Sequence, residues 1–522
     1  MRLLLHGLAA GVFGLLLAFG AFTTGARIWI QRDESRAAMA TDGPFTATKK
    51  SLDGRKTPTW FTRAKFGVML HWGLYSVPAF APRGKNLVRL LAEDYDHAMT
   101  RSPYAEDYAN AMKDPTSPTA AYHRAHYGNA PYSDFVREFD AGLKNWDPQA
   151  WAVTFKEAGA SYVVVTAKYA DGYAMWPTSV RNPHAPDFHA ERDLIGELAR
   201  AVRAQGMKFG VYYSGGVDWT FRPEVMKTFG EYAYQAYGED YRTYATAQVR
   251  ELIDRYKPDI LWNDVFWPTG EKRLFALLAD YYNTVPEGVI NDRWSTVSFA
   301  RQSLGREPAR WFLDRLLKRI LSDPEAAVRL SSPPDVPHSD FRTAEYGTHD
   351  TVQKKFWQRD RPIGGSFGLN RAETDADYAS GEQLVGELVG AAANNGSLLL
   401  DLGPDGGAGT LVPAQTERLA AVGAWLRTNQ EALDGTRPWR RSSTRTRDGT
   451  KVAFTRQGKT VYAIVLGRPK RSVLLKNVTL TGTATHLGTG GAAELSAARG
   501  GTVITSGALD GSYAPVFKIE PV

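Results

Sequence analysis

From Phe66 to Leu402 short apolar runs of strand length alternate with longer stretches of helical periodicity, and no other feature restricts the fold of this chain so tightly. The runs fall at 66–72, 162–167, 208–213, 259–264, 288–292 and 397–402. Between them, 244–256 places Val249, Leu252, Ile253 and Tyr256 on one helical face, and 194–202 has the same periodicity. A strand followed by a helix followed by a strand implies a parallel sheet. Roughly 370 residues with this many strands favour a closed barrel over a doubly wound sheet. No G-x-G-x-x-G or G-x-x-x-x-G-K-[ST] sits between a strand and a helix to support the latter. The expectation is a (β/α)8-like, TIM-type barrel over 57–434.

After an amphipathic stretch at 415–433 the pattern turns to period two, around 451–466, 472–481 and 502–504, with a glycine-rich turn at 488–491. This predicts a C-terminal antiparallel β-sandwich over 435–522. Its polar tips lack an acidic or aromatic cluster, so a structural role is expected, with a carbohydrate-binding accessory as the alternative.

The chain contains no cysteine, which excludes disulfides, thiolate metal sites and a catalytic thiol, so stability rests on burial alone. A content of 43% hydrophobic and 12% aromatic residues is that of a globular protein. The net charge of +7 over 522 residues is spread without a basic block interleaved with aromatics, so nucleic acid is not an expected partner. Leu3 to Ala26 carries no Lys, Arg, Asp or Glu, follows Arg2 and ends in Thr23, Thr24, Gly25 and Ala26. Residues 1–26 therefore read as a signal peptide or a signal anchor. An apolar length of about 20 residues exceeds a typical signal core and approaches a spanning helix. This predicts an extracytoplasmic location, secreted, periplasmic or membrane-attached through 3–26, and the polar stretch 27–56 reads as a tether.

Barrel enzymes carry their chemistry at the C-terminal ends of the strands. The residues there are His71 and Trp72, then Lys168, Tyr169 and Asp171, then Tyr212, Tyr213, Asp218 and Trp219, then Asp264, Arg293 and Glu345. Asp264 ends a run with Ile260, Leu261, Trp262 and Val265, and an unpaired buried carboxylate costs several kcal/mol unless it is paired or used. Capping the next turn is the alternative use. Two carboxylates on separate strands, with aromatic faces for sugar C–H surfaces, are what glycoside hydrolysis requires. Asp264 is the expected nucleophile and Glu345 the acid/base. Retention of configuration needs about 5 to 5.5 Å between the carboxyl groups, inversion roughly 6.5 to 9.5 Å.

The segment Ala64-Lys-Phe-Gly-Val-Met-Leu-His71-Trp-Gly-Leu-Tyr-Ser-Val-Pro-Ala79 resembles the opening barrel strand of the α-L-fucosidases of glycoside hydrolase family 29. Trp262-Asn-Asp264 is similar to that family's nucleophile strand, and Asn291-Asp-Arg293-Trp294 to the segment giving a substrate-contacting arginine. Asp340-Phe-Arg-Thr-Ala-Glu345 is similar to an acid/base segment, and 366–371 and 395–404 resemble the last barrel strands. The resemblance runs from about Trp60 to the end of the chain. It implies a retaining exo-glycosidase that acts on a glycan or glycoconjugate and uses no metal or cofactor. Asp264 and Glu345 would be catalytic, and His71, Glu106, Tyr169, Tyr212, Trp262 and Arg293 would bind substrate.

Two departures bear on specificity. Where the family typically has Lys-His-His-Asp-Gly-Phe, this chain has Lys168-Tyr169-Ala170-Asp171-Gly172-Tyr173, and Glu106-Asp107-Tyr108 stands for Glu-Trp-Tyr. Ala170 leaves room where an imidazole would sit, while Tyr169 or Asp107 supplies a replacement polar group. Fucose itself is therefore expected to bind poorly, with a related L-galacto-configured or substituted sugar as the alternative substrate. A binding protein that has lost catalysis is the competing class. The stretch 295–337 is longer than the family's connection and holds a helix candidate at 310–322, with Phe312, Leu313, Leu316, Leu317, Ile320 and Leu321 opposite Arg315, Lys318 and Arg319. It reads as an insertion packed on the barrel, with a lid, a dimer contact or a membrane-interface helix as alternatives. His184 and His189 lie in a proline-containing loop without further obvious ligands, which argues against a metal site.

Overall fold

Eight parallel strands curl into one sheet in the order β5-β4-β3-β2-β1-β8-β7-β6. They are β1 (Phe66–Leu70), β2 (Tyr162–Lys168), β3 (Lys208–Ser214), β4 (Ile260–Asp264), β5 (Val289–Ile290), β6 (Arg342–Ala344), β7 (Trp357–Pro362) and β8 (Gly396–Leu402). The computed structural model describes residues 24–29, 31, 42–331, 335–345, 347–469, 472–507, 509 and 511–521. Val68 of β1 pairs with Val163 on one side and Leu400 on the other, so the first and last strands are neighbours and the sheet is that of a TIM-type barrel. β1, β2 and β8 are buried along their whole length, which is why they read as continuous apolar runs.

Helices α1 (Pro148–Glu157), α2 (Leu194–Ala204), α3 (Glu239–Tyr256) and α4 (Glu271–Thr284) connect successive strands from β1 to β5. α1 begins where the Asp147 side chain accepts from the Gln149 and Ala150 amides, and α3 stops at Lys257, in a left-handed conformation. The expected face of α3, Val249, Leu252, Ile253 and Tyr256, is buried. β6 and β7 are joined by a connection without a helix among the described residues, and 366–371, expected within a strand, forms a loop beyond β7 instead. Gly364 and Gly365 precede that loop and end the ladder.

β5 and β6 share no strand ladder, so the barrel has a seam. Two aspartates bridge it. The Asp340 amide donates to the Ile290 carbonyl (3.0 Å), while the Asp340 carboxylate accepts from the Ile290 amide (2.9 Å) and the Tyr282 hydroxyl (2.8 Å). Asp292 accepts from the Thr343 amide (3.0 Å) and hydroxyl (2.7 Å). Arg55 completes the first cluster with a 2.7 Å bond to Asp340, both side chains 3% exposed. Residues 42–56, expected in a tether, are therefore folded onto the barrel. The reason is this buried ion pair together with Leu52, which is wholly buried in the main core.

The insertion forms α5 (Ala309–Leu321), whose expected single apolar face splits in two. Leu313, Leu317 and Leu321 pack with Leu90, Leu91 and Tyr95, and Asp314 accepts from the Tyr95 and Thr228 hydroxyls, both at 2.8 Å. Trp311, Phe312, Leu316 and Ile320 face outward, with Phe312 64% exposed. The helix packs on the body by one side, and the other half of the stripe stays uncovered.

Helix α6 (Gly381–Ala393) starts at the Ser380–Gln383 capping box, precedes β8 and packs against it, and α7 (Pro413–Asn429) leads out of the barrel. The C-terminal strands run antiparallel in the order β12-β15-β14-β13-β16-β11-β10-β9, from β9 (Arg437–Arg445) through β10 (Lys451–Gln457), β11 (Thr460–Val465), β12 (Ser472–Lys476), β13 (Thr483–His486), β14 (Ala492–Ala498) and β15 (Gly501–Thr505) to β16 (Val516–Glu520). The Thr444 hydroxyl donates to the Lys476 carbonyl (2.7 Å), which brings the two ends of this order together around Phe454, Leu475, Ile504 and Phe517. Trp425 of α7 donates to the Ala514 carbonyl (3.0 Å) and fastens the β-sandwich to the barrel. Among the described residues no helix is long and apolar enough to cross a membrane, and the apolar run at 3–23 lies outside them.

Candidate active site

A cavity of about 440 Å³ opens at the C-terminal ends of the strands and gathers every residue expected to bind or react with substrate: His71, Glu106, Tyr169, Tyr212, Trp262, Asp264, Arg293 and Glu345. Each arrives from its own place in the fold. His71 follows β1, Tyr169 follows β2, Tyr212 lies in β3, Trp262 and Asp264 in β4, and Arg293 and Glu345 follow β5 and β6. Glu106 comes from a single 3-10 turn, Ala105–Asp107, in the long β1–β2 connection.

Arg293 occupies the centre. Its guanidinium donates to Asp264 Oδ1 at 3.2 Å and to Glu345 Oε2 at 2.8 Å, and lies over the Trp262 ring with its centre 5.2 Å from the ring centroid. One planar fork thus holds both carboxyl groups on the same wall. Asp264 also accepts from the Tyr212 hydroxyl (2.7 Å, at Oδ2) and from the Val265 amide (2.8 Å, at Oδ1). Val265 has φ 65°, a left-handed conformation that a β-branched residue adopts only under constraint, and this turn points its N–H back at the Asp264 carboxylate.

A run of rings continues from that wall. Tyr169 and Tyr212 stack at 6.1 Å, Tyr212 and Trp262 at 5.4 Å, and His71 stands edge-on to Tyr212 at 5.0 Å. His71 Nδ1 lies 2.6 Å from Asp401 Oδ2 of β8. Burial alone would depress the imidazole, but the Asp401 charge and hydrogen bond raise it to about 9. The Glu106 carboxyl, pushed upward by burial, accepts from the Gly368 amide (2.9 Å) and the Ser366 hydroxyl (3.3 Å). A Cβ at position 368 would come within 3.2 Å of that oxygen and 3.1 Å of the Tyr75 ring, so glycine eases the close approach.

The two departures meet here. Tyr169 donates to Asp107 Oδ1 (3.0 Å) and Ser102 to Oδ2 (3.1 Å). Burial and the adjacent Glu106 push the Asp107 carboxyl up to about 8, with the two hydroxyl donors pulling the other way.

Several residues expected near the site lie behind it. Lys168 and Asp218 form a fully buried pair at 2.7 Å, Asp171 accepts from Tyr132 (2.8 Å), Tyr213 bonds Gln248 (3.0 Å), and Trp72 packs among Phe139, Trp146 and Trp151. His184 and His189 stay apart from the cavity, and among the described residues no group of three or more His, Asp or Glu is arranged to hold a metal.

Among the acids that line the cavity, one escapes the sequence reading, as do Tyr104, Tyr232, Arg301 and Phe367 among the other lining residues. Asp360 of β7 is 3% exposed, and burial, together with Asp401 and Glu345, pushes its carboxyl well above the usual range. The only trace in the sequence is a carboxylate between two arginines, Arg359-Asp360-Arg361, which conceals a strand instead of announcing one.

The sequence pattern of the α-L-fucosidase family matches residues 34–431. The chain belongs to that family. It is a glycoside hydrolase by descent, and the α-L-fucosidase resemblance carried by the strand-end motifs is borne out. The bovine tissue α-L-fucosidase is 31% identical over 443 residues, 83% of this chain and 80% of that protein. A Thermotoga maritima α-L-fucosynthase, solved in complex with α-L-Fuc-(1-2)-β-L-Fuc-N3, superposes with a TM-score of 0.78 at 36% identity, over 92% of this chain and all of that one. The Thermotoga maritima α-fucosidase in complex with fucose gives 0.76 at 37% identity, over 91% of this chain and all of that one. The fucosidase fold therefore extends across both the barrel and the β-sandwich.

Proposed function

We propose that this chain is a retaining exo-glycosidase that removes terminal α-L-fucose, or a closely related L-galacto-configured sugar, by double displacement at Asp264 and Glu345. The observation that carries this reading is the Arg293 fork, which binds both carboxyl groups within one cavity.

Asp264 attacks the anomeric carbon while Glu345, as the carboxylic acid, gives its proton to the glycosidic oxygen; the C–O bond breaks, the aglycone leaves as an alcohol, and a glycosyl ester forms on Asp264. The single negative charge of the fork passes from Asp264 to Glu345, and Arg293 stays paired with Glu345. The Glu345 carboxylate then takes a proton from water, the water oxygen attacks the same carbon, and Asp264 is released. Tyr212, Val265 and Arg293 aim the Asp264 carboxylate throughout. His71, Glu106, Tyr169 and Trp262 surround the sugar.

A sugar-binding remnant without catalysis has no observation in its favour, since both carboxylates and the arginine that joins them face the cavity. The uncharged run at 3–26 supports action outside the cytoplasm, which cell fractionation tests. The mechanism is tested by trapping with a 2-fluoro α-L-fucosyl fluoride and mapping the labelled peptide. Label on Asp264 is expected; label elsewhere, or an inverted product, overturns the assignment.

A further inference from the structure

Asp360 has no task in this chemistry, yet it is the least satisfied acid of the cavity. Its neighbours on β7 are fully engaged. Gln358 bonds Trp262 and the Tyr162 hydroxyl, and Arg359 and Arg361 both pair with Glu387 of α6. Among the described residues Asp360 Oδ1 is buried without a hydrogen-bond partner. The cations nearby are committed elsewhere, Arg293 to Asp264 and Glu345, and His71 to Asp401. An apolar side chain of the same size would close this position without penalty, whereas an unmade hydrogen bond in a buried site costs about 1 to 3 kcal/mol. A polar group kept under those conditions at a pocket wall is suited to a ligand atom.

The polar groups that suit ring hydroxyls are already present in His71, Glu106, Tyr212 and the Asp107–Tyr169 pair. L-Fucose is 6-deoxy-L-galactose, so its C6 is a methyl group that asks for an apolar contact. One more buried hydrogen-bonding group fits a sugar with one more hydroxyl. We propose that Asp360 is a specificity-determining residue that hydrogen-bonds the C6 hydroxyl of an α-L-galactoside, so that the site selects L-galactosides over L-fucosides. This rests on the reading of the cavity as the sugar site of an α-L-fucosidase relative. A neutral carboxyl donates one hydrogen bond and accepts others, which matches a hydroxyl in both senses, and a methyl placed against it leaves the carboxyl unpaired.

The test compares the parent enzyme with Asp360→Leu and Asp360→Asn on aryl α-L-galactoside and aryl α-L-fucoside, and by calorimetry on free L-galactose and L-fucose. In Asp360→Leu the galactoside-to-fucoside ratio of kcat/KM is expected to fall about 10-fold to 100-fold, and the affinity ratio of the free sugars to fall with it. Asp360→Asn, which keeps a donor and an acceptor, is expected to restore most of the ratio. Removing an unpaired buried acid is also expected to raise the melting temperature of Asp360→Leu, and thermal melts check that the variant folds. Equal losses on both sugars indicate a part in shaping the catalytic pair and overturn the proposal. An unchanged ratio, or no preference for L-galactose in the parent, indicates that Asp360 meets only water and overturns it too. If neither glycoside is turned over but L-galactose binding still depends on Asp360, the hydrolase reading fails and the assignment of Asp360 stands.

Discussion

Tyr169 donates a 3.0 Å hydrogen bond to Asp107, so the two segments where this chain leaves the fucosidase pattern meet in space through one residue of each. A buried acid and its donor replace an imidazole and an indole as one unit. Asp107 takes up its proton at about 8, against 3.8 for an ordinary aspartate, chiefly through burial and then through the neighbouring Glu106. At neutral pH it is an uncharged carboxyl held by the Tyr169 and Ser102 hydroxyls; above 8 it becomes an anion beside another carboxyl group. KM is therefore expected to rise as pH passes 8, and Asp107→Asn to remove that limb from the pH profile while leaving kcat near the parent value.

The same shift sets a stability trend. Between 3.8 and 8 the folded chain holds a proton that the unfolded chain has released, so this contribution is greatest below pH 3.8, declines with rising pH and is lost beyond 8. Asp107→Asn carries no such term. Thermal melts are expected to show Asp107→Asn above the parent at pH 8, with the gap closing toward pH 4; a gap constant with pH would contradict this.

Arg293 joins Asp264 and Glu345 through separate nitrogens, a geometry that a lysine ammonium cannot reproduce. Arg293→Lys keeps the charge and loses the fork. Steady-state kinetics on aryl α-L-fucoside is expected to show kcat lower by about 10²- to 10³-fold, the usual scale for loss of one preorganised charged donor, with KM changed far less. A pure KM effect would mean that the arginine only binds sugar.

What the sequence discloses and what it conceals follow from strand composition. Asp264 stands out because it ends the apolar run Ile260–Trp262, and His71 because β1 before it is uniformly apolar. β6 and β7 go unread because they are short or charged: the arginines of β7 point to Glu387 outside the barrel, and their polarity masks Asp360 inside it. The fold of 42–56 depends on the pairing of Arg55 with Asp340, residues too far apart in the chain for any local pattern to reveal. The outer face of α5 is misread for the opposite reason, since periodicity reports an apolar stripe but not how much of it finds a partner.

The seam gives a prediction that links stability to activity. Asp340 holds Arg55, Tyr282 and the Ile290 amide together directly before the strand that leads to Glu345. Asp340→Ala leaves the Arg55 guanidinium buried without its carboxylate, a change that costs about 3 to 5 kcal/mol in comparable sites. Denaturant titration is expected to show that loss, accompanied by lower kcat as Arg293 and Glu345 lose their alignment. Arg55→Ala should reproduce most of it, and the double variant should lose far less than the sum of the two, because either change alone already breaks the pair.

Val265 tests whether backbone constraint serves the nucleophile. Its left-handed φ of 65° costs about 1 to 3 kcal/mol for a non-glycine residue, and its amide bonds Asp264 Oδ1 at 2.8 Å. Glycine adopts the same conformation without strain, so Val265→Gly removes the penalty in the native state but gives the unfolded chain more freedom. The two effects oppose each other, and the melting temperature is expected to change by only a few degrees. The turn that aims the amide at the carboxylate is then no longer enforced by a side chain. If the strain serves to fix Asp264, kcat and the rate of trapping by the fluoro sugar both fall while Arg293, Tyr212 and Glu345 remain in place. An equally active Val265→Gly would mean that Tyr212 and Arg293 suffice to orient the carboxylate and that the strained turn is only a consequence of how β4 leaves the barrel.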